Sequence, residues 1–128
     1  MSELKFNAKS GLIIIQGRIT GTKGEAFIDL VLDTGASSVI INSAVLEEIG
    51  YDLSKEKNEL EVTTGKGIVK AKHVQVKALE VFEFEKKNTL VVSYKFPTQI
   101  KRDGFIGLTF LRNHNICLKF KNGIISFE

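Results

Sequence analysis

Apolar residues recur along this chain in short runs, and glycines or polar clusters break one run from the next. The spacing is mostly two, the period of a strand, and a long amphipathic helix is absent. The reading is an all-β chain with one or two short helices. A first strand is predicted over 4–8 and a second over 12–20, turning at 21–24 into a third over 26–32. In the third, Ile28, Leu30 and Leu32 share one face and Phe27, Asp29, Val31 and Asp33 the other. Both faces are largely apolar, which predicts a central strand. A short strand over 39–41 leads into a helix over 43–49, capped by Asn42 or Ser43 and stopped at Gly50.

Strands over 58–64 and 68–76 flank Gly65-Lys66-Gly67, whose glycines permit the positive φ that hairpin turns need. Apolar parity then switches from odd (Val69, Ala71) to even (Val74, Val76), and a β-bulge near Lys72-His73 would produce that switch. Over 81–85, Phe82 and Phe84 are expected inward, Glu83 and Glu85 outward. Further strands follow over 89–93 and 105–107, separated by a polar loop over 94–103 that holds Pro97. One helical turn is expected over 109–112. A closing hairpin joins 116–120 to 124–127 across Asn122-Gly123, a type I′ signal.

Composition narrows the class. The 128 residues, 43% of them hydrophobic, suit one domain spanning 1–128 with a real core. Cys117 is the single cysteine, so an intramolecular disulfide and a multi-cysteine zinc site are both excluded. With two histidines besides, no metal and no cofactor is expected. The net charge of +3 is spread over several strands and interleaved with Glu, which reads as a solvated surface and not a nucleic-acid face. An oligonucleotide-binding barrel would set exposed aromatics beside lysines, whereas Phe82 and Phe84 alternate with Glu83 and Glu85. The early apolar run at 12–15 is too short to span a bilayer and 1–10 lack a signal-peptide core, so no membrane partner and a cytoplasmic location are expected.

One cluster carries chemistry: Asp33-Thr34-Gly35-Ala36-Ser37, after an apolar strand and before Val39-Ile40-Ile41. The bland reading is a turn in which Asp33 caps its own backbone. The context argues for more. Phe105-Ile106-Gly107 follows far downstream, with Phe110-Leu111 and a closing hairpin after it. From about residue 12 onward this pattern resembles the retropepsin-like aspartic proteases, the homodimeric relatives of pepsin. The resemblance implies the acid-protease barrel. It makes Asp33 the catalytic carboxylate, with Thr34, Gly35 and Ala36 supporting its turn. It makes Thr64, Gly65, Lys66, Gly67 and Ile68 the flap that covers substrate, although locally these residues could be any hairpin turn. It also implies that 105–107 pack beneath the turn and that terminal strands, here 122–128, interleave between copies. Ala36 stands where pepsin usually has a hydroxyl residue, and in this it matches the retroviral type.

Metal-free peptide hydrolysis needs one group to take a proton from water and another to give one to the carbonyl oxygen, and two carboxylates sharing a proton do both. The remaining aspartates are Asp29, Asp52 and Asp103, and none precedes Thr-Gly or Ser-Gly. The second carboxylate is therefore expected from another copy of Asp33 across a two-fold axis. The expected function is aspartic endopeptidase activity on an extended polypeptide, by a homodimer. The alternative is a dimer of the same fold that binds a peptide or protein partner without cutting it.

Overall fold

The computed structural model describes residues 2–128; Met1, the first residue of the expected 1–128 domain, lies outside them. In chain order the strands are β1 (Ser2–Lys5), β2 (Ile14–Gly21), β3 (Gly24–Leu32), β4 (Ile40–Asn42), β5 (Glu59–Thr64), β6 (Gly67–Val81), β7 (Phe84–Tyr94), β8 (Gly104–Ile106), β9 (Ile116–Lys119) and β10 (Ile124–Phe127). Helices are short: α1 (Ser43–Glu48), α2 (Leu108–Leu111) and a 3₁₀ turn at Leu53–Lys55.

β2, β3, β8, β4, β7 and β6 lie side by side in that order, and β6 returns to pair with β2, which closes the six into a barrel. β5 adds to β6 outside the ring, and β1, β10 and β9 form a separate three-stranded sheet. The expected all-β acid-protease barrel with short helices is the observed fold. Ile19, Leu30, Ile41, Leu46, Leu79, Ile106, Phe110 and Ile125 are fully or almost fully buried, so α1, α2 and the small sheet share the barrel's core. α1 begins as its sequence demands: the Asn42 side chain accepts from the Ala44 N–H, and Gly50 leaves the helix at φ +111.

Three local expectations fail. Pairing of β6 stays one-to-one through Lys72 and His73, with β5 on one side and β7 on the other, so there is no bulge. The facing changes because the strand leaves β5 and joins the barrel there. The span 81–85 is not one strand. Phe82 (φ 57) and Glu83 (φ 69) form the two-residue turn between β6 and β7, with Val81 opposite Phe84. Left-handed φ at both central positions is the I′ signature, usually built with Asn and Gly. Here the Phe82 side chain, buried against Phe127 at 5.0 Å, offsets the backbone cost. Conversely, Asn122-Gly123 is no type I′ turn. Lys119 pairs with Ile124, the loop spans 120–123, and of its residues only Gly123 has positive φ. The Phe6 N–H donates to the Gly123 carbonyl at 2.9 Å, and the Gly123 N–H donates to Lys119, so contacts from outside the hairpin set the loop.

Candidate active site

β3 carries the chain up to Asp33 and β4 carries it away, and β8 lies between them, parallel to β3 and antiparallel to β4. Its register sets Leu32 beside Ile106 and Ile40 beside Phe105. The Asp33 N–H donates to the Ile106 carbonyl at 3.0 Å and the Leu32 N–H to the Ile13 carbonyl at 2.9 Å. The start of α2 fastens the far side of the turn: the Leu108 N–H donates to Ala36 O at 2.9 Å and the Thr109 N–H to Ser37 O at 3.0 Å. Gly107 lies in between, and a Cβ there would run into the carbonyl oxygens of Ser38 and Ala36. The segment expected beneath the turn is therefore in place, and its glycine is needed for close approach.

Within the turn, the Gly35 N–H donates to Asp33 Oδ1 at 2.9 Å and the Ala36 N–H to the Asp33 carbonyl at 3.2 Å. Gly35 does not have positive φ. Its lack of a side chain matters for space: a Cβ would stand 3.1 Å from Asp33 Oδ1. Thr34 is exposed at the crest of the turn. Asp103 is a clip. Its Oδ2 accepts from the Asp29 N–H at 2.9 Å, its N–H donates to Asp29 O at 3.0 Å, and its carbonyl accepts from the Asn42 N–H at 2.8 Å. It ties β3 to β4 below the turn.

A groove of 570 Å³ opens over Asp33. Of the expected flap residues, Thr64, Gly65 and Lys66 line it, together with Val62 and Thr63; Gly67 and Ile68 do not. Gly67 takes φ +106 to close the hairpin and Ile68 is 68% exposed. The tip is held locally, with the Thr64 hydroxyl donating to Gly67 O at 3.0 Å and accepting from the Lys66 N–H at 3.1 Å. Sequence reasoning missed the opposite wall. Tyr94, Phe96, Pro97 and Ile100 line the groove, all from the span read as a polar loop. Phe96 is buried, and its ring centroid is 5.7 Å from those of both Tyr94 and Phe105. The signal available was the pair Phe96-Pro97 and the lone Ile100, apolar residues in an otherwise polar stretch. Among the described residues, Asp33 and Lys66 are the charged side chains of the lining, and no three His, Cys, Asp or Glu residues are grouped to hold a metal. No helix of the described residues is long and apolar enough to cross a membrane.

A profile of the family described as "gag-polyprotein putative aspartyl protease" matches residues 15–113. The chain belongs to this aspartyl protease family. The match covers the barrel, the Asp33 turn and the segment packed under it. Solved structures share the fold of this aspartyl protease family member. A retropepsin-like aspartic protease from Rickettsia conorii is 18% identical, with 97% of this chain and 85% of that one covered at a TM-score of 0.69. EIAV protease, solved with the inhibitor HBY-793, is 15% identical, with 86% and 93% covered at a TM-score of 0.63. No curated protein matches the sequence.

Behind the turn, α2 rests on a polar prop. The Lys86 amino group donates to Thr109 O at 3.1 Å and Phe110 O at 3.2 Å and lies 4.4 Å from the centre of the Phe110 ring. Burial, with Arg112 nearby, lowers the pKa of Lys86. The His114 ring stacks flat on Phe84 at 3.9 Å, and burial, with the Lys86 charge, lowers its pKa below the ordinary 6.5. The unfolded chain therefore binds this proton first as pH falls, so the His114 contribution is whole above 6.5 and drains away below it. The urea midpoint should drop on acidification below 6.5, and His114→Gln should flatten that part of the slope. An unchanged slope in the variant would remove His114 from the account.

Proposed function

We propose that this protein is an aspartic endopeptidase whose working site forms between two copies, each contributing Asp33. The observation that carries the reading is one Asp-Thr-Gly turn per chain, with Asp33 lining a groove of 570 Å³. Gly35 and Ala36 hold the turn, and exposed Thr34 stands where a second copy can be reached. The whole chain acts as a single domain, one half of the enzyme.

In the assembled site the paired carboxylates share one proton. The ionised one takes a proton from water as its oxygen bonds to the scissile carbonyl carbon. The protonated one gives its proton to the carbonyl oxygen. Collapse of the tetrahedral diol breaks the C–N bond, with a proton passing to the departing nitrogen. Substrate lies as an extra strand between the β5–β6 tip and the wall of Phe96 and Ile100, held by main-chain hydrogen bonds and apolar contact. Closure of residues 64–68 excludes bulk water.

The test is assembly against activity. Specific activity on a peptide library should rise with protein concentration in step with the dimer fraction measured by sedimentation equilibrium. Full activity from a species that stays monomeric would end the two-copy reading.

A further inference from the structure

The charges of the hairpin over Asp33 are matched along its strands and unmatched at its tip. Glu59 of β5 stands opposite Lys72 of β6, and Glu61 opposite Lys70, direct cross-strand pairs of opposite sign. Thr64 pairs with Gly67, which leaves Gly65 and Lys66 as the two-residue tip. Lys66 lines the groove, is exposed, and makes no salt bridge among the described residues. Its main-chain N–H donates to the Thr64 hydroxyl at 3.1 Å, a bond that does not depend on which side chain position 66 bears.

The opposite wall repeats the sign. From Tyr94 to Arg102 the chain reads Tyr-Lys-Phe-Pro-Thr-Gln-Ile-Lys-Arg, three cations and no acid. Lys95 falls between the lining residues Tyr94 and Phe96, and Lys101 directly follows the lining residue Ile100. Both lysines are exposed, and neither makes a salt bridge among the described residues. The next acid along the chain, Asp103, is engaged by the Asp29 N–H at 2.9 Å. An apolar groove thus carries unpaired cations on its cover and beside its far wall, and the one carboxylate of its lining is Asp33.

We propose that the groove takes an apolar segment bordered by Asp or Glu, and that Lys66 is the residue that selects the acid. This rests on the endopeptidase reading above and names its substrate class. A bound chain under a closed tip displaces water, so the Lys66 charge is screened less there than on the open surface. An acidic side chain of the substrate accepts from the Lys66 ammonium and supplies the missing partner. A basic one meets like charge with nothing to neutralise it. The two-copy site holds two Lys66 residues related by its axis, so an acid on either side of the scissile bond is met by one of them. Lys95 and Lys101 add a positive rim that draws acidic chains toward the groove.

The test uses three peptides with one shared core of Val, Leu and Phe that differ only in the residues flanking it: Glu, Gln or Lys. At low salt kcat/KM should fall in that order, with about tenfold between the Glu and Lys peptides. Lys66→Glu should invert the order, and Lys66→Gln should shrink the Glu-to-Lys ratio toward one. Raising the salt from about 0.01 M to about 1 M, which cuts the screening length from about 30 Å to about 3 Å, should shrink it too. Ratios are read instead of absolute rates, so a general loss of activity in a variant cannot imitate the result. A wild-type ratio near one, or a ratio that survives Lys66→Glu, overturns the proposal and leaves the protease standing. If none of the peptides is cut, the protease reading fails instead, and anisotropy of the same peptides carrying a neutral dye decides the proposal. The Glu peptide must then bind tightest to the wild type and the Lys peptide tightest to Lys66→Glu; equal or absent binding overturns it.

Discussion

Asp33→Asn should cut peptide cleavage by about 10³-fold or more while the chain stays folded. The exchange removes both jobs of the carboxylate, taking a proton from water and giving one to the substrate. It leaves the turn nearly intact, because an amide oxygen can still accept the Gly35 N–H that now meets Asp33 Oδ1 at 2.9 Å. The urea midpoint should therefore move by less than about 0.5 kcal/mol equivalent. A variant that keeps wild-type cleavage would sink the acid–base role of Asp33. A variant that binds peptide as before but does not cut it would separate the groove from the chemistry.

Gly107→Ala should be strongly destabilising. The added carbon would meet the carbonyl oxygens of Ser38 and Ala36, main-chain atoms of a turn that α2 fastens through hydrogen bonds to the Ala36 and Ser37 carbonyls. Neither side can yield without moving the Asp33 turn or β8. A loss of about 3 kcal/mol is expected, read from urea unfolding, with reduced cleavage from whatever folds. Gly65→Ala is the matched control: its Cβ would meet nothing within 4 Å, so stability should change by less than about 0.5 kcal/mol. Equal effects at both positions would refute the close-approach account.

Much of this was legible in the chain. The apolar strand before Asp33, the Asn42 cap and the downstream Phe105-Ile106-Gly107 were local patterns with local consequences, and the fold honours them. What failed was decided at a distance. Phe82 and Glu83 take left-handed turn positions because the Phe82 ring is buried beside Phe127, a residue 45 positions away in sequence (127 − 82). Asn122-Gly123 is denied its usual tight turn by a hydrogen bond from Phe6. The wall of the groove was hidden because Phe96 and Ile100 sit in a stretch with no period, where the polar residues dominate the reading.

β6 runs unbroken from Gly67 to Val81. From Lys72 onward it is built into the barrel beside β7; before Lys72 it is paired with β5 alone. The hairpin over Asp33 is thus a cantilever, an overhang of five residues or about 17 Å. A two-stranded ribbon is compliant by itself, so its bending concentrates at the root. That root is braced by the Lys72 amino group on Leu53 O at 2.7 Å and the His73 N–H on Asn58 O at 2.8 Å. The stiffness of the cover over the groove is therefore set at its fixed end, by the 3₁₀ turn and the approach to β5, and can be tuned there without altering any group that touches a substrate.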